Sequence, residues 1–382
     1  MTTLDALSSV VEEVIAPAAA EVDRTGAFPR RQIRALQEAG ILGLTVPEAQ
    51  GGDGGGIPEA AGVVREIGAA CSSTAMIVTM HYSATAALVA TERSSVLSEI
   101  AAGRHLSTLA FSEFGSRSHF WAPVSTATQE GGDVRLDARK SWVTSAGEAD
   151  SYVWSSKPLT AQGPMTLWYV PADAPGLEVA APFDGLGLRG NASSPVTGSG
   201  VSVPESAMLG ADGGGLDLAL AAVLPYFLVL NASASVGLMQ AMTLETAAHL
   251  QQTRLEHLGQ TLAQQQTPRA QLAQLQIATD RTRALVDDTL VALSQGRPDA
   301  QLLVLEVKAA AAEAAAEAAD LALKAGGGSA YRKESGIERR FRDSCASRVM
   351  APTTEALHDF IGRALCGLAL FDSVDSDGDG AN

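Results

Sequence analysis

The sequence predicts a mainly α protein with a small β domain inserted between two helical regions. Two patterns predict it. Apolar residues return every three or four positions over residues 1–108 and again over 213–368, the spacing of one helix face. Between them, over 109–212, β-branched and aromatic residues fall in short alternating runs broken by Gly, Pro and Asp. A chain of 382 residues is long enough for a large core and a closed ligand pocket.

In the first region the helical strings are LSSVVEEVIAPAAAEVD, RRQIRALQEAGILGL and AAGVVREIGAACSSTAMIVTMHYSATAALVA. The run Gly51–Gly56 interrupts them, because six residues that include five glycines cannot hold a helix. The β strings are VRLDARKSWVTS, YVWSSK, MTLWYVPA and PVTGSGVSVP. The last region holds three long helical patterns. The third of these, LLVLEVKAAAAEAAAEAADLALKA, is rich in alanine, which costs least in a helix and lets neighbours approach closely. Gly326–Gly328 is expected to stop that helix. Residues 369–382 are acidic and poor in apolar side chains, the composition of a disordered tail.

Net charge is −16 and pI near 4.8, so phosphate backbones are repelled and nucleic acid is not an expected partner. Cys71, Cys345 and Cys366 have neither metal spacing nor a disulfide framework, which fits a reducing cytosol. DSDGDG near the end lacks the closing glutamate of a calcium loop, and no metal site is predicted. The N-terminus lacks the basic and apolar regions of a signal peptide. The apolar stretch Leu216–Leu230 contains Asp217 and Pro225 and is read as a buried helix rather than a membrane span. A cytoplasmic protein is expected.

Local strings then add a resemblance. GLTVPEAQGG (43–52), LAFSEFGSRS (109–118), KSWVTSAG (140–147), LGLRGN (186–191), Gly327-Gly328 and ERRFRD (338–343) stand in the order and spacing of the acyl-CoA dehydrogenases. The chain resembles that family over almost its whole length. The resemblance implies an N-terminal helical domain, a β-barrel-like middle domain and a C-terminal four-helix bundle. It implies FAD between the β domain and the bundle, a homotetramer or homodimer, and an acyl-CoA or other small-molecule substrate. It also implies an electron-transfer flavoprotein as acceptor.

Carried over position by position, Trp142 offers an apolar wall to the isoalloxazine and Thr144 a hydroxyl to its N5 edge. Ser112 replaces the usual threonine at the pyrimidine edge, and Ser118 matches the serine that reaches the pyrophosphate. Arg254 and Gln266 match adenine- and phosphate-binding positions with a looser fit, since RLEHLG departs from the family's string. Gly327 and Gly328 match a glycine pair that lets backbone approach the dinucleotide. Lys324 replaces the glutamine before it.

The base is where the pattern breaks. The resemblance places a catalytic glutamate eight residues after Asp343, and that residue is Ala351. The alternative family position, on the first long bundle helix, is Phe227. Neither side chain takes a proton. Glu355, one turn beyond Ala351, is a candidate relocated base. His81, with His119 and His358 behind it, is a candidate for oxygen chemistry. Three readings follow: a dehydrogenase with a relocated base, a flavin-dependent monooxygenase fed by a reductase, or a non-redox flavin or acyl-ligand binding protein.

Overall fold

The computed structural model describes residues 3–116 and 119–371. Six helices come first: α1 (Thr3–Val10), α2 (Ala16–Thr25), α3 (Arg30–Glu38), α4 (Ile57–Ala70), α5 (Ser72–Ala90) and α6 (Ser94–Ala101). The glycine-rich run before α4 is a docked turn: Gly54 N–H donates to Val46 O at 2.9 Å and Gly55 N–H to Leu44 O at 2.8 Å. The helix α5 is buried on almost every side and accordingly carries no Asp, Glu, Lys or Arg.

Strands β1 (Ser107–Ala110), β2 (Thr126–Glu130), β3 (Asp133–Val143), β4 (Ser151–Ser156), β5 (Thr166–Pro171), β6 (Leu177–Val179), β7 (Ser194–Pro204) and β8 (Met208–Leu209) follow. They form two four-stranded sheets, in the orders β1-β4-β5-β8 and β2-β3-β7-β6. Alternate residues of β3 and β7 face inward, so Val134, Leu136, Val196 and Val201 join Tyr152, Trp154 and Trp168 in one core. The buried Trp168 indole donates to Ser156 Oγ at 2.8 Å, which removes the cost of burying its N–H.

The last region holds α7 (Gly215–Leu218), α8 (Leu224–Gln252), the short strands β9 (Arg254–Leu255) and β10 (Gln260–Thr261), α9 (Gln266–Gln295) and α10 (Ala300–Ala330). It ends with α11 (Gly336–Ser344), α12 (Ala346–Val349) and α13 (Thr354–Leu365). By length and composition the helical stretch Gly215–Gln252 could cross a membrane. Here, with α9 and α10 packed against it on one side and α4 and α5 on the other, it is the core helix of the bundle. Alanines 311, 314, 315, 318, 319 and 322 of α10 are buried, consistent with close helix approach.

The long helix of α10 breaks at Gly327, at φ 58° and ψ −150°, inside the expected Gly326–Gly328 stop, and a short helical stretch follows to Ala330. One expectation changes. The tail does not lose order at 369. Leu370 and Phe371 pack on the core, and the Phe371 ring lies 5.0 Å from Trp121 and 5.2 Å from Phe360. Their apolar side chains complete an aromatic cluster that composition averaged over the tail does not reveal. Residues 372–382 lie outside the described residues.

Candidate active site

A cavity of about 590 Å³ lies where the β domain meets the helices. Met76 and Met80 of α5, Phe227 of α8, and Val349, Met350, Ala351 and Pro352 form its apolar side. Ser112, Ser141, Thr144, Asn191 and Ser193 supply a polar edge, and Trp142 and Phe183 stand at the opening. The sequence-predicted residues Ser112, Trp142 and Thr144 therefore meet in one place, opposite both positions where the resemblance puts a base.

Trp142 is 58% exposed although it is a large apolar residue, and its ring stacks on Phe183 at 4.2 Å and 27°. Its φ is +56°, and Ser145, Leu188 and Ala192 are also left-handed. Left-handed non-glycine backbone is costly and concentrates at binding sites. Thr144 is buried, and among the described residues its Oγ1 has only a long 3.4 Å contact with Ser193 Oγ. Ser116 Oγ and Ser145 Oγ are buried with no partner among the described residues. An apolar slot with an exposed indole at its mouth and under-satisfied hydroxyls near its edge fits a flat heteroaromatic ring with a polar rim.

Two clamps hold the walls. Lys140 and Glu113 form an ion pair with both side chains fully buried. Lys140 Nζ also donates to Ser155 O at 2.6 Å and Ser155 Oγ at 2.9 Å, and sits 5.0 Å from the Trp154 ring. The second Glu113 oxygen accepts Val124 N–H at 2.7 Å and Ser125 N–H at 3.0 Å. Burial alone would raise the Glu113 carboxyl, but the Lys140 charge, the Ser125 hydroxyl and the Val124 amide outweigh it and hold it ionised. Burial pulls Lys140 down to about 8 against the pull of Glu113. This knot ties Glu113, the neighbour of Ser112, and Val124–Ser125 to β3 and β4.

The second clamp docks the LGLRGN loop on α11. Asp343 accepts Leu188 N–H at 2.7 Å, and Arg342 grips Asp23 at 2.6 Å and Glu338 at 2.7 Å. At Gly187 an added Cβ would lie 2.4 Å from Arg342 O, so only glycine permits the approach.

His81 is not at the cavity. It is fully buried, with Nε2 3.1 Å from Leu42 O and Nδ1 accepting Ser107 N–H at 3.1 Å. Both nitrogens are engaged, and burial holds the ring neutral, at about 4. It braces α5 against β1 and the 41–44 turn, which corrects its candidacy for oxygen chemistry. The folded-state value lies below the ordinary 6.5, so the contribution to stability is present above pH 6.5 and is lost as pH falls toward 4. The stability difference between wild type and His81→Gln should shrink by about 3 kcal/mol between pH 7 and pH 4, as denaturant titrations would show. A pH-independent difference would contradict this assignment.

Glu355 is corrected too. Thr353 Oγ1 accepts Ala356 N–H at 3.3 Å and caps α13, which leaves Glu355 exposed in the first turn and outside the cavity lining. His119 packs edge-on against Trp121 at 4.9 Å and His358 is half exposed, 3.7 Å from Glu313; neither lines the cavity. The aromatic SHFWAP segment divides: Phe120 joins the cavity wall, and Trp121 packs on Phe360 at 5.2 Å. Arg254, Gln266, Gly327 and Gly328 are exposed around β9, the start of α9 and the end of α10, and the cavity does not include them. Lys324 pairs with Asp320 at 2.5 Å. Ser118 lies outside the described residues.

Sequence reasoning missed Lys308. It is fully buried, and Nζ donates to Met350 O at 3.1 Å and Pro352 O at 2.8 Å. Burial lowers it to about 7. Asn231 adds a contact to Met350 Sδ at 3.4 Å and accepts the Ser347 hydroxyl. The wall around Ala351 is thus fixed from behind.

The comparisons with known proteins agree with this architecture. Family models for the acyl-CoA dehydrogenase N-terminal, middle and C-terminal domains match residues 2–103, 108–201 and 213–366. The chain is a flavin-dependent oxidoreductase, and it belongs to the acyl-CoA dehydrogenase family. A probable acyl-CoA dehydrogenase, YngJ of Bacillus subtilis, is 28% identical over 92% of this chain and 93% of its own length. The human mitochondrial short-chain specific acyl-CoA dehydrogenase is 27% identical, over 90% of this chain and 84% of its own. The butyryl-CoA dehydrogenase of Megasphaera elsdenii has the same fold, with a TM-score of 0.89 at 22% identity, covering 95% of this chain and 98% of that one.

Proposed function

We propose that the chain is an FAD-dependent oxidoreductase acting on an acyl thioester carried by coenzyme A or an acyl carrier protein. The observation that carries the reading is the convergence of Ser112, Trp142 and Thr144 on one cavity, facing the apolar wall of Phe227 and Met350–Pro352. Bound there, FAD would accept two electrons as hydride from the substrate. The chain's own side chains bind and orient. Trp142 covers the ring, Thr144 and Ser112 offer hydroxyls to its edge, and Met76, Met80 and Phe227 exclude water from the reacting carbon. Arg254, Gln266, Gly327 and Gly328, exposed here, serve the FAD of a neighbouring subunit in a homotetramer or homodimer. The unpaired Cys71, Cys345 and Cys366 suit the cytosol. An electron-transfer flavoprotein is the proposed acceptor.

No observation favours the oxygen-dependent alternative, since His81 has both ring nitrogens occupied. The test is anaerobic titration of the FAD-loaded protein with a panel of acyl thioesters, followed at the visible flavin maximum. At least one is expected to bleach the flavin. If none does, the redox reading fails and a binding protein remains.

A further inference from the structure

One ring of the cavity wall is held from outside the cavity. Phe111 and Phe120 both line it, with near-parallel rings 6.5 Å apart at 17°. Phe111 packs in one cluster with Met80, Leu109, Ala219 and Val223, which form an apolar part of the lining. Phe120 is buried, and Trp121 meets it edge to face at 5.2 Å and 86°. Trp121 does not line the cavity. Phe360 of α13 holds it at 5.2 Å and Phe371 at 5.0 Å, and those two rings meet each other at 5.2 Å.

Phe371 reaches this place because the chain turns back after α13. Gly367 stands at φ +69°, its N–H donates to Ala364 O at 3.1 Å, and Leu368 N–H donates to Arg363 O at 2.9 Å. A left-handed glycine after the last turn is a common helix stop. Arg363 also donates to Ala369 O at 3.4 Å. The turn lays Leu370 and Phe371 on the core. Covering Phe360 alone would need no contact with the cavity wall. Here the ring contacts run unbroken from Phe371 through Trp121 and Phe120 to Phe111.

Resting on the reading of this cavity as an acyl-thioester site, we propose that Phe371 is a positioning residue for specificity: through Trp121 it fixes Phe120 against Phe111 and so sets how broad an acyl group the cavity admits. A slender acyl chain passes beside the ring pair. A broad one, branched or aromatic, must displace Phe120. Protein interiors are close-packed, so Phe120 gives way only if Trp121 shifts, and Trp121 shifts only by breaking its contacts with Phe360 and Phe371. An aromatic pair contributes a factor of about two to ten to an equilibrium constant. The discrimination is therefore a clash against the broad ligand rather than an added contact with the slender one.

The test measures binding rather than turnover. Dissociation constants of butyryl-CoA and benzoyl-CoA, with the matching pantetheine thioesters alongside, are measured by anaerobic equilibrium dialysis on the FAD-loaded protein. Wild type should bind the butyryl thioester more tightly than the benzoyl one. Phe371→Ala should shift the ratio toward benzoyl about three- to tenfold, and Phe371→Leu, which keeps an apolar contact on Trp121, should stay within about twofold of wild type. Phe120→Ala should shift the ratio at least as far as Phe371→Ala. Adding Phe371→Ala to Phe120→Ala should then change nothing more, because the ring it acts through is gone. A wild type without preference for butyryl, an unchanged ratio in Phe371→Ala, equal weakening of both ligands, or a second full shift in the double variant overturns the proposal and leaves the thioester reading intact. Wild-type protein that binds none of the thioesters overturns that reading, and the proposal with it.

Discussion

Placing a carboxylate at position 351 should create activity rather than remove it. Ala351→Glu is expected to oxidise butyryl-CoA about 10²- to 10⁴-fold faster than Ala351→Gln, which has the same shape but no base. Ala351 is half-buried and lines the cavity, so a longer side chain has space to enter it. Lys308 and Asn231 hold the segment on either side from behind, so the wall should keep its place. The surroundings are apolar, which raises a carboxyl above its ordinary range. The new activity should therefore rise with pH through that raised value, because only the ionised form accepts a proton. Single-turnover flavin bleaching measured across pH for the two variants checks it. Equal rates for Glu and Gln would show that position 351 does not face the reacting carbon.

The second large effect concerns the Glu113–Lys140 knot. Lys140→Met should destabilise the protein by about 3–5 kcal/mol, because it strands a carboxylate inside the β domain. The loss should reach the cofactor as well, since Ser112 sits beside Glu113 and Trp142 two residues after Lys140. Pairing Lys140→Met with Glu113→Gln should recover part of the stability, because the remaining group is neutral. Denaturant titration of both variants, with FAD content measured on each, decides the matter. A Lys140→Met protein within about 1 kcal/mol of wild type would mean that the pair is not sealed from water.

Much of this was legible in the sequence. Helical and alternating periodicities marked the three regions, because they report which face of each element is buried. Trp142, Thr144, Ser112, Phe227 and Ala351 were identified by register, and the structure gathers them around one cavity. What escaped was tertiary. Nothing local says that a buried Lys140 will find Glu113, 27 residues away, or that Lys308 will reach carbonyls beyond residue 349. His81 looked available because sequence does not show hydrogen bonds: Leu42 and Ser107 reach it from other elements. Glu355 looked close to Ala351 on a helical count, but α13 begins only at Thr354, so the two do not share a face. Phe371 was read with the acidic residues that follow it, while its own ring belongs to the core.

The central claim is that the cavity between the β domain and the bundle is a flavin site walled by Trp142 and Thr144. Equilibrium binding of FAD to the flavin-stripped protein, followed by quenching of flavin fluorescence, tests it most directly. One FAD per chain is predicted, with affinity lowered at least about tenfold in Trp142→Ala, a loss of about 1.4 kcal/mol. An unchanged affinity in that variant, or no saturable binding by the wild-type chain, would contradict the account.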